Sequence, residues 1–187
     1  MRYLLGLDVS TTGSKALVID EAGAGVGTPT TPRAPPQPPP PWRAQIPARR
    51  WARQASAHRA ALAEIDDPGA IQAIGLTGQM HGLVCLDTGG NVLRPAILWN
   101  DQRTQAECDE ITETIGAQRL IALTGNRALT GFTAPKILWV RKHEPHVYAQ
   151  IAHILLPKDY IRFKLTGEYA TDLAGASGTL LLNVAER

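Results

Sequence analysis

The chain has 187 residues, 44% hydrophobic and 19% charged, with 19 Lys and Arg against 17 Asp and Glu for a net charge of +2. That is the composition of one soluble globular domain, and so small a charge gives no electrostatic footprint for nucleic acid. Cys85 and Cys108 lack CxxC spacing, which argues against a structural metal and for a reducing compartment; Asp8 falls too early for a leader's apolar region, no apolar run is long enough to span a bilayer, and cytoplasm is the expected location.

An apolar run from Tyr3 to Leu7 ends in Asp8. The polar turn Ser10-Thr11-Thr12-Gly13 follows, then a second apolar run from Ala16 to Ile19. The pattern predicts strands over about 2–9 and 14–20. A tip rich in backbone N–H groups, hydroxyls and Lys15 suits a phosphate, and Asp8 at the strand end is placed to hold a hydrated Mg²⁺. An ordinary polar hairpin uses the same residue types. Residues 29–47 carry nine of the fourteen prolines, so 22–47 reads as an extended proline-rich loop. Residues 22–63 contain six arginines and no acid, which reads as a solvated linker leading into a basic helix face rather than a polyanion patch.

A helix is predicted over 48–65, with Trp51, Ala55, Leu62 and Ile65 on one side. Strands follow over 70–77 and 83–87, a turn at Gly89-Gly90-Asn91, and a short strand over 96–99. Further helices are expected at 103–116, at 133–143 with Thr133 as N-cap, as a turn at Pro145, and at 158–166, the last preceded by a strand over 151–156. Strands first, then helices alternating with strands, predict a mixed α/β sheet.

Three segments carry hydrogen-bonding side chains at strand ends, where α/β sheets present ligands. Gly78-Gln79-Met80-His81-Gly82 combines donors and acceptors with an apolar wall at Met80, the needs of a sugar site; His81 could equally satisfy a backbone carbonyl. Trp99-Asn100-Asp101-Gln102-Arg103 ends a strand in a polar fan, with Asp101 as hydroxyl ligand or as N-cap of the next helix. Gly131 to Trp139 reads as an amphipathic helix packing on the sheet, apart from Lys136.

With the opening hairpin, these segments resemble in sequence and order the amino-terminal half of the FGGY carbohydrate kinases. Within that family, Gln79-Met80-His81-Gly82 and Trp99-Asn100-Asp101 with Arg103 resemble the branch acting on xylulose. Gly131 through His143, Leu156-Pro157-Lys158-Asp159-Tyr160, Thr166-Gly167-Glu168 and Ala176-Ser177-Gly178-Thr179 continue the resemblance over nearly the whole chain apart from 22–64. The resemblance implies a ribonuclease-H-like α/β domain, a mixed sheet flanked by helices, of the actin and hexokinase type. It implies that 1–187 is the sugar-binding domain, with a second domain carrying the ATP site and the catalytic carboxylate.

Carried over, Asp8 orients Mg²⁺ or the γ-phosphate, and Thr11, Thr12, Ser14 and Lys15 line the phosphate path. Gln79, Met80 and His81 meet xylulose, and Asn100 and Asp101 shape the same pocket. The implied partners are xylulose, ATP with Mg²⁺, and the missing carboxy-terminal kinase domain. A homodimer is compatible with the resemblance; neither nucleic acid nor a membrane is expected. The chain departs from the family at Arg43-Ala44-Gln45-Ile46-Pro47, where the family carries acids, which places the third strand in question. The expected activity is phosphorylation of xylulose, this chain alone being inactive. The alternatives are a related kinase, such as one for gluconate, a non-catalytic sugar-binding module, or an inert truncated product.

Overall fold

Apolar side chains at Leu5, Leu7 and Val9 alternate with Leu4, Gly6 and Asp8, so strand β1 (Tyr3–Val9) buries one face and exposes the other. β2 (Ser14–Ile19) does the same with Ser14, Ala16 and Val18 inward and Lys15 and Leu17 outward. A computed structural model describes residues 1–27 and 42–186 of the chain; the proline-rich loop expected over 22–47 lies largely outside them. The third strand, β3 (Gly25–Gly27), is three residues long and pairs with β2. β4 (Ala44–Gln45) precedes helix α1 (Pro47–Leu62), which starts on a proline at its first position and ends three residues earlier than expected.

α1 covers the inner face of β1 and β2. Leu5, Leu7, Ala16 and Val18 pack there against Ala57 and Ala61. The same helix face brings in Arg50 and Gln54, both buried. The basic helix face expected from composition holds for the exposed Arg49 and Arg59 but not for Arg50, which points inward and whose desolvated guanidinium is pulled down to about 10.

A short 3₁₀ turn at Pro68–Ala70 leads into β5 (Ile71–Gly78), which pairs in parallel with β1 and completes a four-stranded sheet of order β3-β2-β1-β5. Register sets Asp8 beside Thr77 and Val9 beside Gly78. β6 (Val84–Leu86), the turn at Asp87–Asn91 and β7 (Ala96–Ile97) follow, β7 pairing with β4. Next come α2 (Gln105–Ile115), α3 (Ala117–Thr124), α4 (Thr133–His143), α5 (Pro145–Tyr148), β8 (His153–Leu155) antiparallel to β6, α6 (Pro157–Thr166) and α7 (Leu173–Ser177). Val9, Val84, Leu86 and Ala96 pack with Tyr160 and Ile161 of α6 into a second core. Leu83, Cys85 and Ile97 pack with Trp139 and Val140 of α4 into a third. The outer sheet face, with Leu4, Gly6, Asp8, Leu17 and Gly75, is open or half-open.

Gly78 lets β1 and β5 close at their carboxyl ends. A Cβ there would stand 2.7 Å from the Val9 carbonyl oxygen and 3.0 Å from its Cβ. Gly78→Ala is therefore expected to cost about 1–3 kcal/mol, read as a lower urea midpoint at unchanged slope; an unchanged midpoint contradicts this close approach.

Candidate functional site

The carboxyl ends of β1 and β5 and the segment after β7 are tied together by side chains. The Gln79 amide N–H donates to the Val9 carbonyl at 3.0 Å. The Thr11 hydroxyl donates to Gln79 Oε1 at 2.8 Å and accepts from Trp99 Nε1 at 2.9 Å. Below the turn, Gln45 Nε2 donates to the Thr11 carbonyl at 2.8 Å, and Arg50 Nη1 to the Ser10 carbonyl at 2.8 Å. Ser10 Oγ donates to the Gly13 carbonyl and accepts the Gly13 N–H, folding the tip on itself. Three segments far apart in the chain are thus held at one sheet edge. Arg50 and Gln45 went unassigned in the sequence. The signal for Arg50 is a run of arginines without acids to neutralise them; its second Nη donates to Gln45 Oε1, which joins the two beneath the turn.

The expected phosphate residues divide. Asp8 and Lys15 face each other across β1 and β2 on the outer sheet face and line a hollow of about 550 Å³ with Gly6, Gly75 and Thr77. No hydrogen bond or ion pair among the described residues engages the Asp8 carboxylate. Thr12 is exposed at the tip. Ser14 is only 2% exposed and lies on the inner face, so its hydroxyl points away from that hollow. Thr11 spends its hydroxyl on Gln79 and Trp99. The hollow does not reach Met80, His81 or Asn100; the bonds above hold only their chain neighbours Gln79 and Trp99.

His81 takes φ +61°, a left-handed backbone rarely adopted by a side-chain-bearing residue, which costs roughly 1–3 kcal/mol and persists only where neighbours over-determine it. Four contacts do so. Its carbonyl accepts from Thr133 Oγ1 at 3.2 Å and Lys136 Nζ at 2.9 Å. Its ring meets Phe132 edge to face at 4.7 Å, and its Nδ1 lies 2.8 Å from the Gly178 carbonyl. A carbonyl only accepts, so Nδ1 carries the proton of the neutral ring and Nε2 is left as an acceptor. Burial pulls the imidazole pKa below its ordinary value, aided by the charge of Lys136 and opposed by the Gly178 carbonyl. Thr133 opens α4 as its first helical residue, after Phe132; its hydroxyl serves His81 instead of capping the helix, contrary to expectation.

Asp101 is 1% exposed and accepts from Arg103 Nε and Nη2, both at 2.8 Å, and from the backbone N–H groups of Arg103 and Arg43. It does not cap the next helix, whose N-cap is Thr104. The Arg103 guanidinium lies 4.3 Å from the Trp42 ring centre and 4.7 Å from that of Trp139. Asp101 thus braces the loop from beneath, while Asn100 stays free to serve it: Asn100 Oδ1 is buried without a partner, as is Gln79 Nε2. Five further buried side-chain atoms among the described residues also lack a partner. Met80 is 60% exposed and Trp99 45%, leaving apolar surface beside Gln79 and Asn100.

A mixed sheet of this order, with its loops gathered at the carboxyl edge of β1 and β5, defines a ribonuclease-H-like α/β domain of the actin and hexokinase type. The model of the FGGY family of carbohydrate kinases, N-terminal domain, matches residues 3–187, and the chain belongs to this family. It is 43% identical over 183 residues to a xylulose kinase of Klebsiella pneumoniae, covering 98% of this chain and 37% of that protein, and 41% identical over 189 residues to one of Bacillus subtilis, covering 100% and 38%. Among solved structures it is similar to a protein described as a xyloylose kinase from Brucella ovis, with TM-score 0.89 and 42% identity over 97% of this chain and 37% of that one. A gluconate kinase from Lactobacillus acidophilus superposes with TM-score 0.88 at 27% identity, over 97% of this chain and 37% of that one. The chain spans under two-fifths of the length of these relatives. Among the described residues, no helix is long and apolar enough to cross a membrane.

Proposed function

We propose that residues 1–187 form the amino-terminal, sugar-binding domain of a cytoplasmic kinase that transfers the γ-phosphoryl group of ATP to a xylulose hydroxyl. The observation that carries this reading is the Gln79–Thr11–Trp99 hydrogen-bond chain, which brings the loop after β5 and the segment after β7 to one edge beside the exposed Met80 and Trp99. Gln79, Asn100 and the acceptor Nε2 of a neutral His81 supply hydrogen-bonding groups on these loops, and Met80 and Trp99 the apolar wall for the carbon face. Asp101 and Arg103 hold this loop in shape.

The same reading gives Asp8 a Mg²⁺ ion. Among the described residues no three His, Cys, Asp or Glu side chains gather as a ligand set, so a cation here would rest on one carboxylate, waters and phosphate oxygens. Mg²⁺ favours that coordination, and the unengaged Asp8 carboxylate fits it. Bound Mg²⁺·ATP supplies the phosphoryl group and neutralises its charge. Lys15, Thr12 and the backbone N–H groups of the tip approach the phosphates, while the side chain of Ser14 does not. No described residue is given the role of general base; that carboxylate is assigned to the second domain of the kinase.

The test is calorimetry of D-xylulose binding to this chain and to His81→Ala, with D-gluconate as the competing ligand. Saturable heat with xylulose, weakened at least about tenfold in the variant, is the expected result. Equal heats from the two proteins remove His81 from the site, and heat with gluconate alone moves the assignment to that sugar acid.

A further inference from the structure

We propose that Lys136 is a positioning residue for the sugar loop: wholly buried on α4, it holds the carbonyls of His81 and Gly131 and so fixes the left-handed backbone that aims the His81 imidazole. The inference rests on the sugar-site reading above for its functional consequence, and on contacts alone for its geometry.

A buried lysine is an expensive way to fill space. Met or Leu would occupy the volume without desolvating an ammonium, yet Lys136 is 0% exposed and among the largest fully buried side chains. Its Nζ donates to His81 O at 2.9 Å and also to Gly131 O. Both carbonyls belong to irregular segments with no ladder partner to hold them: the loop after β5 and the segment before α4. Thr133 lies one turn earlier on the same helix face and donates to the same His81 carbonyl. Two donors from one rigid helix therefore converge on one loop oxygen. Phe132, next to them, supports the ring.

The charged and titratable groups around the ammonium are Asp101, Cys108 and Arg103, with His81 beyond the carbonyl. Burial brings the amine down to about 7, against the pull of Asp101 and Cys108 and with the push of Arg103. The positive charge in turn disfavours a second proton on His81. One side chain thus fixes the backbone of the group assigned to the sugar and adds a small push to a protonation state that burial chiefly sets.

The experiment compares the wild-type chain with Lys136→Met, which keeps bulk and removes the donor. Long-range ¹H–¹⁵N spectra of the His81 ring report its tautomer, D-xylulose affinity is measured beside them, and a thermal melt reports folding. Lys136→Met is expected to turn a single Nδ1–H tautomer into a mixture and to weaken xylulose by roughly tenfold to a hundredfold. A changed melting temperature with unaltered His81 signals and affinity shows a packing role only and overturns the proposal. Should that variant fail to fold, Lys136→Leu, which likewise lacks a donor, is read by the same spectra, and unaltered His81 signals overturn the proposal there too. If the wild type binds no xylulose, the sugar reading fails alone, because the tautomer shift still decides whether Lys136 positions His81.

Discussion

Gly178→Ala is expected to weaken D-xylulose binding about a hundredfold while the chain stays folded. A Cβ at this position would stand 2.4 Å from His81 Cε1 and 2.5 Å from His81 Nδ1, far inside contact distance. The Gly178 backbone has φ −78°, which alanine adopts without strain. The cost therefore falls on the imidazole, which must swing off the Gly178 carbonyl and lose its edge contact with Phe132. The half-exposed ring has room to move, so the melting temperature is expected to fall by no more than a few degrees. Calorimetry beside a thermal scan separates the two effects. Undiminished xylulose affinity in a folded Gly178→Ala protein contradicts the placement of His81 in the site.

Asp101→Ala carries the largest expected loss of stability, about 3–5 kcal/mol. The pair Arg103–Asp101 is 2.8 Å apart with side chains 4% and 0% exposed. Removing the carboxylate strands a guanidinium between Trp42 and Trp139, together with the Arg43 N–H. The same contacts give the pair a pH signature. Burial raises the Asp101 pKa, but the hydrogen bonds from Arg103 and from the Arg43 N–H outweigh it and leave it below the ordinary carboxylate value. A group with a depressed folded pKa contributes stability that is complete above its unfolded value of about 4 and is lost as pH falls through the lower folded value. Urea midpoints of wild type and variant should therefore converge as pH drops below about 4 and stay apart near neutrality. A gap that persists in acid, or none at pH 7, contradicts the account of this pair.

The order of elements was legible because its signals are local. Apolar runs bounded by polar turns gave β1, β2 and β5 nearly to the residue, and prolines at 47, 145 and 157 mark the starts of α1, α5 and α6. α3 was missed. It has only eight residues, but Gly116 at φ +87° and Gly125 at φ +71° bracket it, and that pair of glycines is the usable sign. The site loops were legible as glycine-bordered strand ends. The duties of their side chains were not, because these depend on partners 40 to 90 residues away. Thr11 hydrogen-bonds to Gln79 and Trp99, Asp101 accepts from Arg43, and Arg50 reaches back to Ser10. Strand parity alone would have placed Ser14 inward and Lys15 outward, since neighbours on a strand face opposite ways. Lys136 broke the amphipathic pattern of its helix, and only the fold reveals the two carbonyls that explain it.

The most direct measurement is a titration of ¹⁵N-labelled chain with D-xylulose, followed by amide and side-chain shifts. Saturable changes gathered on Gln79 to Gly82, Trp99, Asn100 and Gly178, including the Gln79 and Asn100 side-chain amides, are the predicted result. No saturable change at those positions, or changes confined to another part of the surface, contradicts a pentulose site at this sheet edge.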